Sequence, residues 1–182
     1  NRFILAGDLV EATSDTGTYL QLSGVLKRTS AKLTKICNDI RLLASGPRCG
    51  LNEIRLPQMQ PGSSIMPGKV NPVIPEVVNQ TSFLVIGLDL TVTLAASAGQ
   101  LQLNVMEPVI TFALFTSIYT MENAVNSLRV NCVEGISANV EHLRDMVLNS
   151  LGIITVLKPM LGYRQCAEIA REGYESGKSL HD

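Results

Sequence analysis

Between Thr18 and Ala44 the apolar residues Leu22, Val25, Leu26, Leu33, Ile36, Cys37, Ile40 and Leu43 recur at threes and fours, the spacing of one helix face. Ser45-Gly46-Pro47 then supplies a left-handed stop and a residue that cannot continue, so a long amphipathic helix is predicted to end there. A second long helix is predicted from Glu76 to Ala98, which holds no proline; Pro72 and Pro75 precede it or sit in its first turn, where a missing N–H costs nothing. Within it, Phe83 to Ala96 is apolar nearly all round, with Asp89 as its one charge. Such a run is a membrane span or the centre of a bundle. A charge in mid-run and the lack of flanking Lys or Arg favour the bundle, and other helices, from this chain or from further copies, are expected to surround it. Gly99 permits a break, Pro108 can start a third helix, and Val109, Phe112, Ala113, Phe115, Tyr119, Val125 and Leu128 keep helical spacing to about Val130.

Beyond Gly135 the pattern shortens. A helix near Asn139 to Leu148, an apolar stretch from Ile153 to Leu157 ended by Pro159, and a helix near Arg164 to Glu175 closed by Gly177 are predicted. The expected fold is all-α: a partial long-helix bundle over 1–134 and part of a small helical domain over 135–182. Between the first two helices, Gly46, Pro47, Gly50, Pro57, Pro61, Gly62, Pro67, Gly68 and Pro72 exclude any long regular element. Compact domains rarely carry so long an irregular segment without a use for it, which makes it the first place to look for chemistry.

Composition narrows the field. With 182 residues, 46% of them hydrophobic and 17% charged, the chain can bury a core and is not a disordered tail. The balance of 15 basic against 16 acidic residues includes no run of like charge, so neither nucleic acid nor a membrane surface is an expected partner. Cys37, Cys49, Cys132 and Cys166 are far apart, and only His142 and His181 could join them. Neither a zinc site nor a disulfide framework is expected; reduced thiols in a cytoplasmic protein are. His142, beside Glu141 and Arg144, reads as a surface helix residue. An opening on Asn1 and a stop at Asp182, just after what reads as the start of another helix, suggest an internal fragment.

The irregular segment carries the candidate chemistry. Gly62-Ser63-Ser64-Ile65-Met66-Pro67-Gly68-Lys69-Val70-Asn71-Pro72 gathers two hydroxyls, an ammonium and an amide immediately before a helix N-terminus, a grouping suited to an anion. It is not a nucleotide-binding P-loop, because Gly62 and Gly68 enclose five residues where that loop needs four, and Val70 follows the lysine. Nor is it the GxSxG elbow of a serine hydrolase. Taken singly, Ser63 and Ser64 could be turn serines, Lys69 a solvated charge, Asn71 a cap, and Glu76 a first-turn acid favoured by the helix dipole.

Taken together, these eleven residues resemble the signature loop of the aspartase/fumarase superfamily, GSSxMPxKxNP, at every fixed position. The flanks Ser45 to Ile54, Val73 to Gln80, Gly99 to Pro108 and Asn149 to Thr155 resemble the aspartate ammonia-lyase branch more than the fumarases. The resemblance spans essentially the whole chain, although family members are much longer. It implies reversible deamination of L-aspartate to fumarate and ammonia, with no cofactor and no metal-ligating residue in this chain, in a homotetramer whose central helices form a shared bundle and whose active sites draw on three subunits. By position, Ser63 matches the base that takes a proton from the carbon next to the side-chain carboxylate. Ser64 matches a contact to that carboxylate, and Lys69 and Asn71 match contacts to the other one. Glu76 matches the carboxylate that pairs with a histidine in a part of the family sequence this chain lacks. The chain by itself is therefore expected to be inactive and to expose apolar helix faces. A fumarase, which handles water in place of ammonia, and a non-catalytic oligomeric helical protein are the alternatives.

Overall fold

The computed structural model describes residues 3–61 and 68–177. The chain divides into two compact units, residues 1–42 with 56–136, and residues 43–55 with 137–182. The expectation of an all-α bundle holds. In the first unit a one-turn helix α1 (Glu11–Ser14) precedes three long helices: α2 (Gly17–Leu43), α3 (Val73–Ser97) and α4 (Glu107–Asn131). Prolines mark the starts as physics asks, with Pro75 in the first turn of α3 and Pro108 in that of α4.

The helices pack antiparallel in sequence, and two apolar clusters run along the seam. One joins Cys37 of α2 and Val78 of α3 to Ala124 and Leu128 of α4 and to Cys132. The other joins Val92 and Ala95 to Ile110, Ala113 and Leu114, with Leu26 and Leu88 against it. Burial on α2 corrects the simple periodicity reading. Its most buried residues are Ser23, Ser30 and Cys37, one heptad apart, whereas Leu22, Val25 and Ile36 are exposed. Small side chains let α2 approach closely, and their polar atoms have partners: Ser23 donates to Asp89 at 2.7 Å and Ser30 to the Met121 sulfur at 3.5 Å.

Asp89 is the sequence's isolated charge, and the bundle answers it. Lys27 Nζ lies 2.7 Å from its second carboxylate oxygen. Burial by itself raises the Asp89 pKa, but the hydrogen bonds from Lys27 and Ser23 and the lysine's charge outweigh it and hold the group below its ordinary 3.8. One face of α3 is thus packed and paired. The opposite faces are bare in this chain: Phe83, Leu90 and Leu94 of α3 and Phe112, Phe115 and Tyr119 of α4 are exposed, the last two at 70%. Total burial of α3, expected from its composition, is not reached within one chain.

Asn104 shapes the α3–α4 connection. It is buried, donates to the Ala95 and Ala96 carbonyls at 3.1 and 3.2 Å, and accepts the Met106 N–H at 2.8 Å. One amide thereby closes the carbonyl end of α3 and the amide end of α4.

The second unit is assembled from two stretches. Strands β1 (Ile54–Arg55) and β2 (Ser137–Ala138) pair antiparallel, Ile54 with Ala138 and Arg55 with Ser137. The sequence reading set a single boundary near residue 135; this pairing draws residues 43–55 in as well. Asn139 bridges both stretches through Asn52, Glu53 and Arg55, and His142 Nε2 lies 2.8 Å from the Leu51 carbonyl oxygen. His142 is therefore a half-buried tie to the preceding loop, not the free surface residue expected. Helix α5 (Val140–Leu148), a 3₁₀ segment (Leu151–Leu157) and α6 (Lys158–Ser176) follow. Pro159 begins α6 instead of merely ending the apolar stretch, Gly162 breaks its regularity at φ 78°, and Gly177 ends it in the left-handed conformation.

The direction of the Asp89 shift fixes a pH dependence. The folded pKa lies below the unfolded one, so the stabilisation is whole above about pH 4 and is lost as pH falls through the folded value. Urea unfolding should show Lys27→Met costing about 2 kcal/mol near neutrality, below the range for a fully buried pair because Lys27 is 54% exposed. Asp89→Asn should flatten the fall in stability between pH 5 and the acid limit; an unchanged acid profile would remove Asp89 as its source.

Candidate active site

Gly68, Lys69, Val70, Asn71 and Pro72 lead directly into α3. Gly68 has φ +82°, a backbone conformation that L side chains rarely adopt, so the glycine serves the turn itself. Lys69 and Asn71 are half-buried. Pro72 occupies the N-cap position, with no side-chain cap; the backbone carbonyls of Asn71 and Pro72 accept from the N–H groups of Val73 and Glu76 at 2.9 and 3.1 Å. Asn71 is thus not the side-chain cap it could have been. Among the described residues nothing bonds its amide or the Lys69 ammonium, and both remain able to hold an anion at the positive end of α3.

Glu76 stands in the first turn of α3. Its Oε1 lies 3.8 Å from Arg41 Nη2 on α2. Arg41 Nη1 donates to Asn38 Oδ1 at 3.3 Å, and the same oxygen accepts from Asn79 Nδ2 at 2.8 Å. The sequence reading missed this quartet. Its signal was present as two i,i+3 pairs, Asn38 with Arg41 and Glu76 with Asn79, but only the antiparallel packing brings them face to face. Ser63 and Ser64 lie outside the described residues, as does His181. Lys69, Asn71 and Glu76 therefore make up the described part of the predicted site, at one helix end. No group of three His, Cys, Asp or Glu able to hold a metal ion occurs among the described residues.

Burial governs the thiols. In the cluster behind Glu76, desolvation pushes Cys37 up to about 11, aided by Cys132 and opposed by Arg41, and burial also raises Cys132. Neither is suited to act as a nucleophile.

Residues 3–87 match a family model described as a lyase. The aspartate ammonia-lyase of Helicobacter pylori strain 26695 is 61% identical over 180 residues, 99% of this chain and 38% of that protein. A Brucella melitensis structure described as a fumarate lyase:delta crystallin bound to cobalt superimposes with a TM-score of 0.92 at 54% identity, over 97% of this chain and 38% of that one. The class II fumarase of Schistosoma mansoni gives 0.89 at 37% identity, over 98% and 37%. This chain thus spans a little over a third of the length of these relatives.

Asn71→Ala should leave the unfolding free energy within about 0.5 kcal/mol, because no bond of its side chain is lost. A drop of about 1 kcal/mol or more in urea titration would instead make Asn71 a cap.

Proposed function

We propose that the complete protein interconverts L-aspartate with fumarate and ammonia, a reading supported by the match of residues 3–87 to a lyase family model and by the alignment of nearly the whole chain with an aspartate ammonia-lyase. The observation that carries the reading is the unbroken string from Gly62 to Pro72, set within a stretch 61% identical to a protein of that name. In the forward direction Ser63, as its alkoxide, takes the proton from the carbon beside the side-chain carboxylate. The electron pair passes into that carboxylate as a doubly charged aci-carboxylate. It then returns to form the double bond while the C–N bond breaks and ammonia departs with the bonding electrons. Ser64 donates to the side-chain carboxylate, Lys69 and Asn71 hold the other, and Glu76 orients a histidine supplied from outside this chain.

The demanding step is the ionisation of Ser63. An alcohol about six units above neutral pH costs on the order of 8 kcal/mol to deprotonate, at about 1.4 kcal/mol per unit. A helix N-terminus contributes at most about 2 kcal/mol. The Lys69 charge and the exclusion of water from the site supply further stabilisation. Donors in place before the charge develops on the carboxylate act where it is greatest. The apolar side chains bare on α3 and α4 support a homotetramer in which copies pack these helices together and complete one another's sites.

Ultraviolet absorbance of fumarate, followed in parallel from L-aspartate and L-malate with the complete polypeptide, separates the readings. Signal from aspartate alone is expected; signal from malate alone moves the protein to the fumarases, and silence with both in an assembled oligomer favours another substrate or a structural role. Ser63→Ala should lower turnover at least about 100-fold with assembly retained, and near-normal turnover would remove Ser63 as the base.

A further inference from the structure

The quartet behind Glu76 is built in a way that stability alone does not explain. Arg41 and Glu76 are 41% and 40% exposed and 3.8 Å apart, a pair that contributes little to folding. Asn79, by contrast, is 4% exposed, and its Oδ1 is buried without a hydrogen-bond partner, a feature folding would discard. What the arrangement does supply is a fixed guanidinium. Asn79 is seated beside Val78, which is wholly buried in the cluster with Cys37; its Nδ2 holds Asn38 Oδ1, and that oxygen in turn receives Arg41 Nη1. The other guanidinium nitrogen then stands 3.8 Å from one oxygen of Glu76, and among the described residues nothing bonds the second carboxylate oxygen.

We propose that Arg41 is a positioning residue for Glu76, held in place by Asn38 and anchored by Asn79. This rests on the lyase reading, in which Glu76 orients the group that completes the site. Arg41 touches no substrate atom. By fixing one carboxylate oxygen, it limits Glu76 to conformers that present the other oxygen beyond α3. Lysine keeps the charge but loses the planar fork that bonds Asn38 and faces Glu76 at once, so Arg41→Lys retains only part of the function.

The test uses the complete polypeptide with L-aspartate, recording kcat, KM, unfolding midpoint and oligomeric state for each variant. Arg41→Met is expected to lower kcat on the order of 10- to 100-fold with KM and midpoint little changed. Arg41→Lys should recover part of that loss, and Asn38→Ala should reproduce it in smaller measure. Asn79→Leu should keep or raise the midpoint while lowering kcat, an outcome a purely structural residue would not give. In a Glu76→Gln background, Arg41→Met should have no further effect. Unchanged kcat in Arg41→Met, a loss matched by loss of folded oligomer, or the same fold-loss with Glu76 already replaced would each overturn the proposal while leaving the lyase reading intact. No fumarate from aspartate with the unmodified protein would overturn both.

Discussion

A single carboxylate buried in the most apolar helix sets the register of the bundle. Asp89 cannot stay ionised in that position without partners, and α2 brings two of them, Ser23 and Lys27, within 2.7 Å. Antiparallel α2 and α3 are thereby aligned, and the alignment carries about ten residues, some 15 Å of helix, to the far end. There Asn38 meets Asn79 and Arg41 meets Glu76. A slip of one helical turn would leave the carboxylate unpaired and break the quartet behind the candidate site.

The same register explains a division of labour along α3. Toward α2 and α4 it presents Val78, Asn79, Ser82, Val85, Asp89, Val92 and Ala95, a stripe buried at spacings of three and four. Its N-terminal turn receives the segment carrying Lys69 and Asn71, and its remaining faces are apolar and bare. Core, candidate-site end and a surface bare in this chain thus share one helix. That combination suits a protein whose sites are completed by other segments, because the rigid element that carries Glu76 also carries the surface through which copies would meet.

How much could be read beforehand follows from where each piece of information resides. The three long helices were legible because apolar period, proline placement and glycine stops are local properties of the string. Their boundaries moved by only a few residues, Gly17–Leu43 for a predicted Thr18–Ala44 and Val73–Ser97 for Glu76–Ala98. The signature segment was legible for the same reason, as eleven consecutive residues. Burial on α2 was less so: Cys37 belongs to the apolar period, but Ser23 and Ser30 count as polar in it, and the close approach of two helices is what buries them.

The sequence by itself determined the all-α class, the places where helices start and stop, and the order of polar groups from Gly62 to Glu76. Covalent order and local propensity suffice for those. Only the tertiary structure decided that Asp89 is paired, that Asn104 joins two helix ends, that residues 43–55 pair with a strand far along the chain, and that Arg41 stands against Glu76. Each depends on contacts between residues remote in sequence, and such contacts exist only once the helices have chosen their register.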